Sequence, residues 1–562
     1  MADSRVKNVS RNFIFSVVNY LLTIVFGFVS RTIFLNFLSV EYLGLNSLFT
    51  NVLTVLSLAE LGFGSAIVFA MYKPVATGDN EKVRQLLQLY KKYYTIIGLV
   101  VLGIGLALLP FIKHLINGQP SVDVNLYVVY ALFLLSNVVT YFFAYRRSLL
   151  LTCQRIDIEI KFSILKTILM FVGQLLVLAT TKNYYIYISV AIVCGVVDNL
   201  GIYIYTNNKY KEFVALPSSS LPLEDRKAIG KNVRALVYHK LGSVFVYSID
   251  SIIISAVLSL SVLGLYSNYL LFTTYLTSLL ALFTSSIKGS VGNYIATKSP
   301  EETRKLMGTF NFVWFWLIGF VSICLLNLYQ PFISLWLGEQ YLLSFDIVVV
   351  ICLNFLISNS RYMTGTFKEC AGLFWNDRFK SLMECVVNFI SSILLAKVWG
   401  LTGVIAGTIL SNVLVAVWVE PVVLYKHYYK KSSAGYFLKY LIYFLAIVVG
   451  AVATYFACGL VNVAGIWGFV LKAGICVVVP NVLFLLFSFA TKDFKNAFSI
   501  GIGLLKKIKN KSEPLNNNES KVQTNEPLVD SEELDYGDVS DILEGVNTLE
   551  VIDSVSKNEE NK

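Results

Sequence analysis

The sequence predicts an all-α polytopic membrane protein of about fourteen transmembrane helices, built as two six-helix bundles plus an extra helix pair. Three observations carry this. Apolar runs of about 17 to 25 residues, long enough to cross a bilayer, recur along most of the chain. The 562 residues are 56% hydrophobic and only 15% charged, whereas a soluble domain is about one quarter charged. Finally, the sequence repeats itself at a separation of 220 positions: Leu43-Gly44-Leu45 returns as Leu263-Gly264-Leu265, Phe63 and Ser65 as Phe283 and Ser285, Ala76-Thr77 as Ala296-Thr297, and Arg84 as Arg304. Pro110-Phe111-Ile112 returns one position out, as Pro331-Phe332-Ile333. Two copies of one helical unit in a membrane suggest a transporter with its site between the copies.

In order, the candidate spans are 12–35, 43–70, 93–113, 124–145, 162–181, 185–205, 238–258, 264–287, 308–330, 345–365, 379–397, 402–423, 437–457 and 465–489. The first carries Arg31 and shows no A-x-A-like cleavage site, so it reads as a helix and not a removed signal peptide. Residues 1–225 form the N-terminal bundle and 226–430 the C-terminal bundle. Residues 431–490 hold helices 13 and 14, and 491–562 form a basic juxtamembrane segment and an acidic tail. An even helix number per copy sends both copies into the membrane in the same direction, related by a pseudo-two-fold along the membrane normal. The matching loops after spans 2 and 8 read as short surface helices. One starts at Asp79-Asn80-Glu81. The other starts at Ser299-Pro300-Glu301-Glu302, where Ser299 caps, Pro300 suits the first position and Glu302 completes a capping box. Pro110 and Pro331 mark either kinks or helix ends.

Lys and Arg gather on alternate connections, among them Lys82, Arg84, Arg146, Arg147, Arg155, Lys209, Arg226 and Lys431, while the other connections hold little beyond Lys113, Lys182 and Lys397. The positive-inside rule then puts both termini in the cytoplasm. Net charge is +10, but residues 512–562 hold 14 acidic residues and 3 lysines, a net of −11, which leaves +21 for the rest. That excess fits orientation and anionic headgroups better than nucleic acid. The tail is too polar to fold alone and is expected to be disordered, either solvated or bound to a cytoplasmic partner protein. Tyr90, Tyr93 and Tyr94 flank Lys91-Lys92 and read as an aromatic belt, although sugar stacking also uses such residues. The eight cysteines form no C-x-x-C pair, so neither a disulfide framework nor a metal site is implied. The three histidines, His114, His239 and His427, belong to no catalytic motif, and no cofactor is indicated.

Charges inside apolar runs are the informative residues, because each costs a few kcal/mol at about the membrane centre and so faces protein or a wet cavity. They are Arg31, Glu60, Asp198, Asp250 and Lys288, with Glu384 and Glu420 weaker cases. In the functional reading, Arg31 and Lys288 attract an anionic group, while Asp250 pairs with them or binds a coupling cation. Arg31 and Asp250 occupy adjacent positions of equivalent helices, so a shared central cavity is expected if helices 1 and 7 face each other. In the structural reading, Arg31 and Lys288 snorkel to headgroups, Glu60 bonds locally beside Gly62 and Gly64, and Asp198 with Asn199 makes a buried hydrogen bond. The residues alone leave both open.

Gly27-Phe28-Val29-Ser30-Arg31, Tyr42-Leu43-Gly44-Leu45 and Glu60-Leu61-Gly62-Phe63-Gly64-Ser65 together resemble the polysaccharide repeat-unit flippases (Wzx-type) of the multidrug/oligosaccharidyl-lipid/polysaccharide (MOP) exporter superfamily. The resemblance covers about 1–490 and leaves the tail out. It implies a bacterial cytoplasmic-membrane protein that moves undecaprenyl-pyrophosphate-linked oligosaccharide to the outer leaflet for capsule, O-antigen or exopolysaccharide assembly. It implies a cationic cavity and alternating access, with Arg31 as first choice for the pyrophosphate and Lys288 as second. Helices 13 and 14 would border a groove for the lipid tail. Coupling to H⁺ or Na⁺ at Asp250 or Glu60, with Asp198 as a further ion or gating candidate, is an additional expectation, as is another polysaccharide assembly protein as the partner of the tail. The alternatives are a multidrug/cation antiporter of the same superfamily, which favours a carboxylate-dominated cavity, and a membrane-embedded polymerase, which calls for a large outer loop or acidic catalytic motif.

Overall fold

The structure is a computed structural model that describes residues 2–60, 62–227, 229–230, 233, 245 and 248–511, with side chains from 14 to 503 apart from that of Ala59. The acidic tail, His239 and the first part of the seventh span lie outside the described residues. Every long element is helical: α1 (Ala2–Phe37), α2 (Val40–Leu56), α3 (Phe63–Thr77), α4 (Asn80–Leu108), α5 (Leu126–Thr152), α6 (Ile156–Thr180) and α7 (Tyr184–Lys209). Then follow α8 (Ser248–Leu258), α9 (Leu260–Thr297), α10 (Pro300–Trp336), α11 (Phe345–Cys370), α12 (Lys380–Tyr429), α13 (Ala434–Gly459), α14 (Gly465–Ser488) and α15 (Lys492–Lys511). Among the described residues, 11 helices are long and apolar enough to span a bilayer. The remaining expected runs fall on the broken pair α2–α3, on the short α8, and on α12, which carries two runs either side of Gly400.

Side-chain caps start several helices where the sequence changes from polar to apolar. Asp79 accepts from the Lys82 amide at 3.0 Å, Asn125 from Tyr127 at 3.0 Å and Asn183 from Tyr185 at 2.9 Å. Ser299 and Glu302 make the expected capping box, with the Ser299 amide donating to Glu302 at 3.0 Å and the Glu302 amide to Ser299 at 3.3 Å. These caps do not start separate surface helices: the capped turns are continuous with the spans α4 and α10. Pro110 lies just past the end of α4, whereas Pro331 sits inside α10.

The chain forms two compact units. The first comprises Met1–Tyr275, Tyr329–Asn354 and Asp377–Ala416; the second comprises Leu276–Leu328, Phe355–Asn376 and Val417 onward. In the first unit α1 packs on α6, α4 on α5, and α7 on both α5 and α6. In the second, α13 packs along α14, and buried Trp314 of α10 donates to the Asn359 carbonyl at 2.8 Å.

The repeat is visible in the first unit. Helix α2 starts at Val40 and α9 at Leu260, positions that are 220 apart, after equivalent serines Ser39 and Ser259. The two starts pack on each other reciprocally. A Cβ on Gly44 would collide with the Leu260 carbonyl, and a Cβ on Gly264 with the Val40 carbonyl. The equivalent residues Glu41 and Ser261 touch, the Ser261 hydroxyl donating to Glu41 at 2.8 Å. Equivalent residues in mutual contact lie on the pseudo-two-fold itself. Farther along, the copies diverge. After Leu56 copy one breaks into a tight turn at Ser57–Glu60 and a left-handed Gly62 (φ 78°), a conformation natural to glycine. Copy two has Leu282 at the position of Gly62 and Leu280 at that of Glu60, and α9 continues unbroken.

Candidate functional site

Two sites build up in the first unit, beside a lone cation. That cation is Arg31, six residues before the end of α1 and so about 9 Å from it along the axis. Its guanidinium donates to the Ser267 hydroxyl at 2.8 Å and Asn268 Oδ1 at 3.1 Å, both on α9. Phe28, one turn back, packs against Phe272, Phe332 and Trp336, and the Trp336 indole donates to Thr32 at 2.7 Å. Helix α1 of copy one is thus tied to copy two by polar and aromatic contacts around Arg31. Among the described residues, no carboxylate lies within ion-pair distance of Arg31.

The first site is a cavity of about 860 Å³ inside the N-terminal bundle, lined from α3, α4, α5, α6 and α7. It brings together two sequence-predicted residues, Glu60 and Asp198, with Arg147, Glu159, Lys166 and Asn199. The broken helix sets Glu60 where the Tyr94 hydroxyl donates to it. Arg147 pairs with Asp198 and with Glu159 at 3.2 Å, and donates to Asn199 at 3.3 Å. Lys166 has no ion-pair or hydrogen-bond partner among the described residues. Tyr90 and Tyr94 are buried, stacked with ring centroids 4.3 Å apart, and line this cavity. This corrects the aromatic-belt expectation for them: both lie one face round from the exposed Lys91 and Lys92, which turns them inward. At the start of α6, Arg155 donates to Asp157 at 2.9 and 3.3 Å, and this bond raises the pKa of the guanidinium.

The second site is a buried polar seam among α8 and the two arms of α12. The Thr408 hydroxyl donates to Asp250 at 2.6 Å, and the Asn388 amide donates to Thr408 at 2.9 Å. Asp250 Oδ1 and Asn388 Oδ1 are both buried without a partner. Helix α8 widens into a π-type turn at Ile254–Leu258 just beyond Asp250, a local irregularity common at functional positions. Asp250 and Arg31 take separate partners, Asp250 on α12 and Arg31 on α9. Lys288, in the second unit, pairs with Glu369 at 2.7 Å, both half-exposed. Also in that unit, α10, α13 and α14 line a small apolar pocket of about 70 Å³.

Sequence reasoning missed Arg147 and Lys166. Arg147 looked like a loop charge because the apolar run ends before it, yet α5 continues to Thr152. Lys166 sits inside the 162–181 run, so the rule that singled out Glu60 and Asp198 applies to it equally.

The fold is that of a multi-pass transporter, and solved structures agree. The chain is similar to the lipid II flippase MurJ in its inward closed conformation (TM-score 0.60, 14% identity, 85% of this chain and 98% of that one). It is also similar to an inward-facing multidrug resistance MATE family transporter of the MOP superfamily (0.55, 14%, 72% and 94%) and to a MATE transporter of Vibrio cholerae (0.52, 12%, 77% and 98%). No curated protein sequence matches it. Residues 9–287 match the family described as "Polysaccharide biosynthesis protein", and over that stretch the chain is similar to its members. These relatives are transporters and not enzymes.

Proposed function

We propose that the protein moves undecaprenyl-pyrophosphate-linked oligosaccharide repeat units from the cytoplasmic to the outer leaflet of a bacterial inner membrane, by alternating access, for capsule, O-antigen or exopolysaccharide assembly. The observation that carries this is Arg31: a cation within a span, held by neutral acceptors of the other copy and, among the described residues, not neutralised by a carboxylate. Such a charge favours a pyrophosphate in a setting where hydrocarbon alone excludes it. Lys288, paired with Glu369, is the second anion contact in this reading, available once that exposed pair opens. The Lys/Arg-rich side, with both termini, is cytoplasmic.

Coupling to H⁺ or Na⁺ is assigned to Asp250. Its unpartnered Oδ1 and that of Asn388 are buried acceptors whose natural complement is a proton or a small cation. Glu60 and Asp198 are engaged by Tyr94 and Arg147 and act as gating groups in this reading. A ligand shifts a conformational equilibrium only through differential affinity, and loading Asp250 supplies it.

The test is the leaflet distribution of lipid-linked oligosaccharide in cells depleted of the protein. Cytoplasmic accumulation is expected, reversed by wild type and not by well-expressed Arg31→Ala. Unchanged sidedness in cells lacking redundant transporters overturns the proposal and favours the multidrug antiporter.

A further inference from the structure

We infer that the cavity inside the N-terminal bundle is a glycan subsite, and that it takes an acidic oligosaccharide through Lys166. This rests on the translocation function proposed above. At about 860 Å³ the cavity falls within the usual range for ligand sites, about 300–1,000 Å³. Along α5 it runs from Asn137 to Leu151, about 21 Å at the helical rise, in the half of the bundle nearest the Lys/Arg-rich connections. That is the side on which the substrate would be loaded.

Its chemistry is that of a sugar site and not of a drug or lipid site. The exposed Tyr72 offers an amphipathic ring, apolar on the face and polar at the hydroxyl, as a sugar ring is apolar on its C–H face and polar at its edge. Asn137 Oδ1 and Asp198 Oδ1 are buried acceptors without partners. Ligand hydroxyls donating to them would remove the penalty of leaving them unpaired. Every other charge in the cavity is engaged: Arg147 with Asp198 and Glu159, and Glu60 with Tyr94. Lys166 alone has neither an ion pair nor a hydrogen bond among the described residues. An unpaired ammonium within an apolar span is costly, and a carboxylate or phosphate substituent on the glycan is the group that satisfies it. Arg31 is left to the pyrophosphate, so the two cations read different ends of one headgroup.

The experiment uses the purified full chain in nanodiscs with two probes: undecaprenyl pyrophosphate, and the same lipid carrying the repeat unit extracted from the host. Wild type is expected to bind the glycosylated lipid about tenfold tighter, the scale of one charge-assisted contact. Lys166→Met, which removes a charge from a span and so does not threaten folding, is expected to bring that ratio to about one, with affinity for the bare lipid unchanged. Lys166→Arg keeps the cation and is expected to retain most of the preference. A ratio that survives in Lys166→Met, or one near unity in wild type, overturns the glycan subsite and leaves the flippase reading standing. Failure of wild type to bind either lipid overturns the flippase reading itself.

Discussion

The reciprocal contact of Gly44 on Leu260 and Gly264 on Val40 makes a prediction with an internal control. Alanine at either glycine sets a Cβ against a backbone carbonyl of the other copy, which no side-chain rotation relieves. The two helix starts must separate, and overpacking of this kind costs about 1–3 kcal/mol. Arg31, Ser267 and the Thr32–Trp336 bond lie on the same junction, so the cost falls on the conformer that keeps the copies closed at this end. About 1.4 kcal/mol is a tenfold shift in a two-state population. Gly44→Ala and Gly264→Ala are thus each expected to raise opening at this end about tenfold.

The pseudo-two-fold adds that the two substitutions match, and that the double variant adds little, because the first has already parted the backbones. The assay is labelling of Ser267→Cys by an impermeant maleimide, since Ser267 is buried in the closed junction. Unchanged labelling in both well-expressed variants, or single-variant effects differing by an order of magnitude, would refute the axis placement.

Arg147→Met strands Asp198, which is almost fully buried, and is expected to cost about 3 kcal/mol in thermal unfolding; the Arg147→Met/Asp198→Leu pair should recover most of it. Asp250→Asn is expected to abolish dependence of transport on the H⁺ or Na⁺ gradient while leaving the lipid bound, read by transport into vesicles under imposed gradients. Ser299→Ala removes an N-cap at α10 and should lower stability by about 1 kcal/mol without changing sidedness.

Much of this architecture was legible, because a bilayer forces its helices to be long apolar runs and a repeat leaves paired residues at a constant offset. The capping box at Ser299 and the equivalence of Val40 and Leu260 follow directly from that regularity. The site was legible in its members and not in its groupings. Arg31, Glu60, Asp198 and Asp250 all stood out as charges in apolar runs. That Glu60 and Asp198 share one cavity, and that Asp250 bonds to α12, depends on how α3, α5, α7 and α12 rotate against their neighbours. Helix rotation is set by packing, which a list of apolar positions leaves undetermined within a uniformly hydrophobic span. Arg147 was missed for a related reason: a charge near a helix end reads as loop until its partner across the bundle is known.

The divergence of the copies argues for a division of labour. Both begin with a helix that follows an equivalent serine and meet at the axis through the same glycine, so their junction is constrained by symmetry. Beyond the junction copy one replaces two leucines of copy two with Glu60 and Gly62, breaks its helix, and opens a large polar cavity. In copy two the helix stays whole, and Asp250, Asn388 and Thr408 form a buried polar seam. A cavity of that size in copy one suits a bulky hydroxylated ligand. A seam with two orphaned oxygens in copy two suits a proton or a small cation. If the load enters through one copy and the driving ion through the other, the shared junction around Gly44, Gly264 and Arg31 is where the two must be coupled. A substitution there should then uncouple transport from the ion gradient while both ligands still bind.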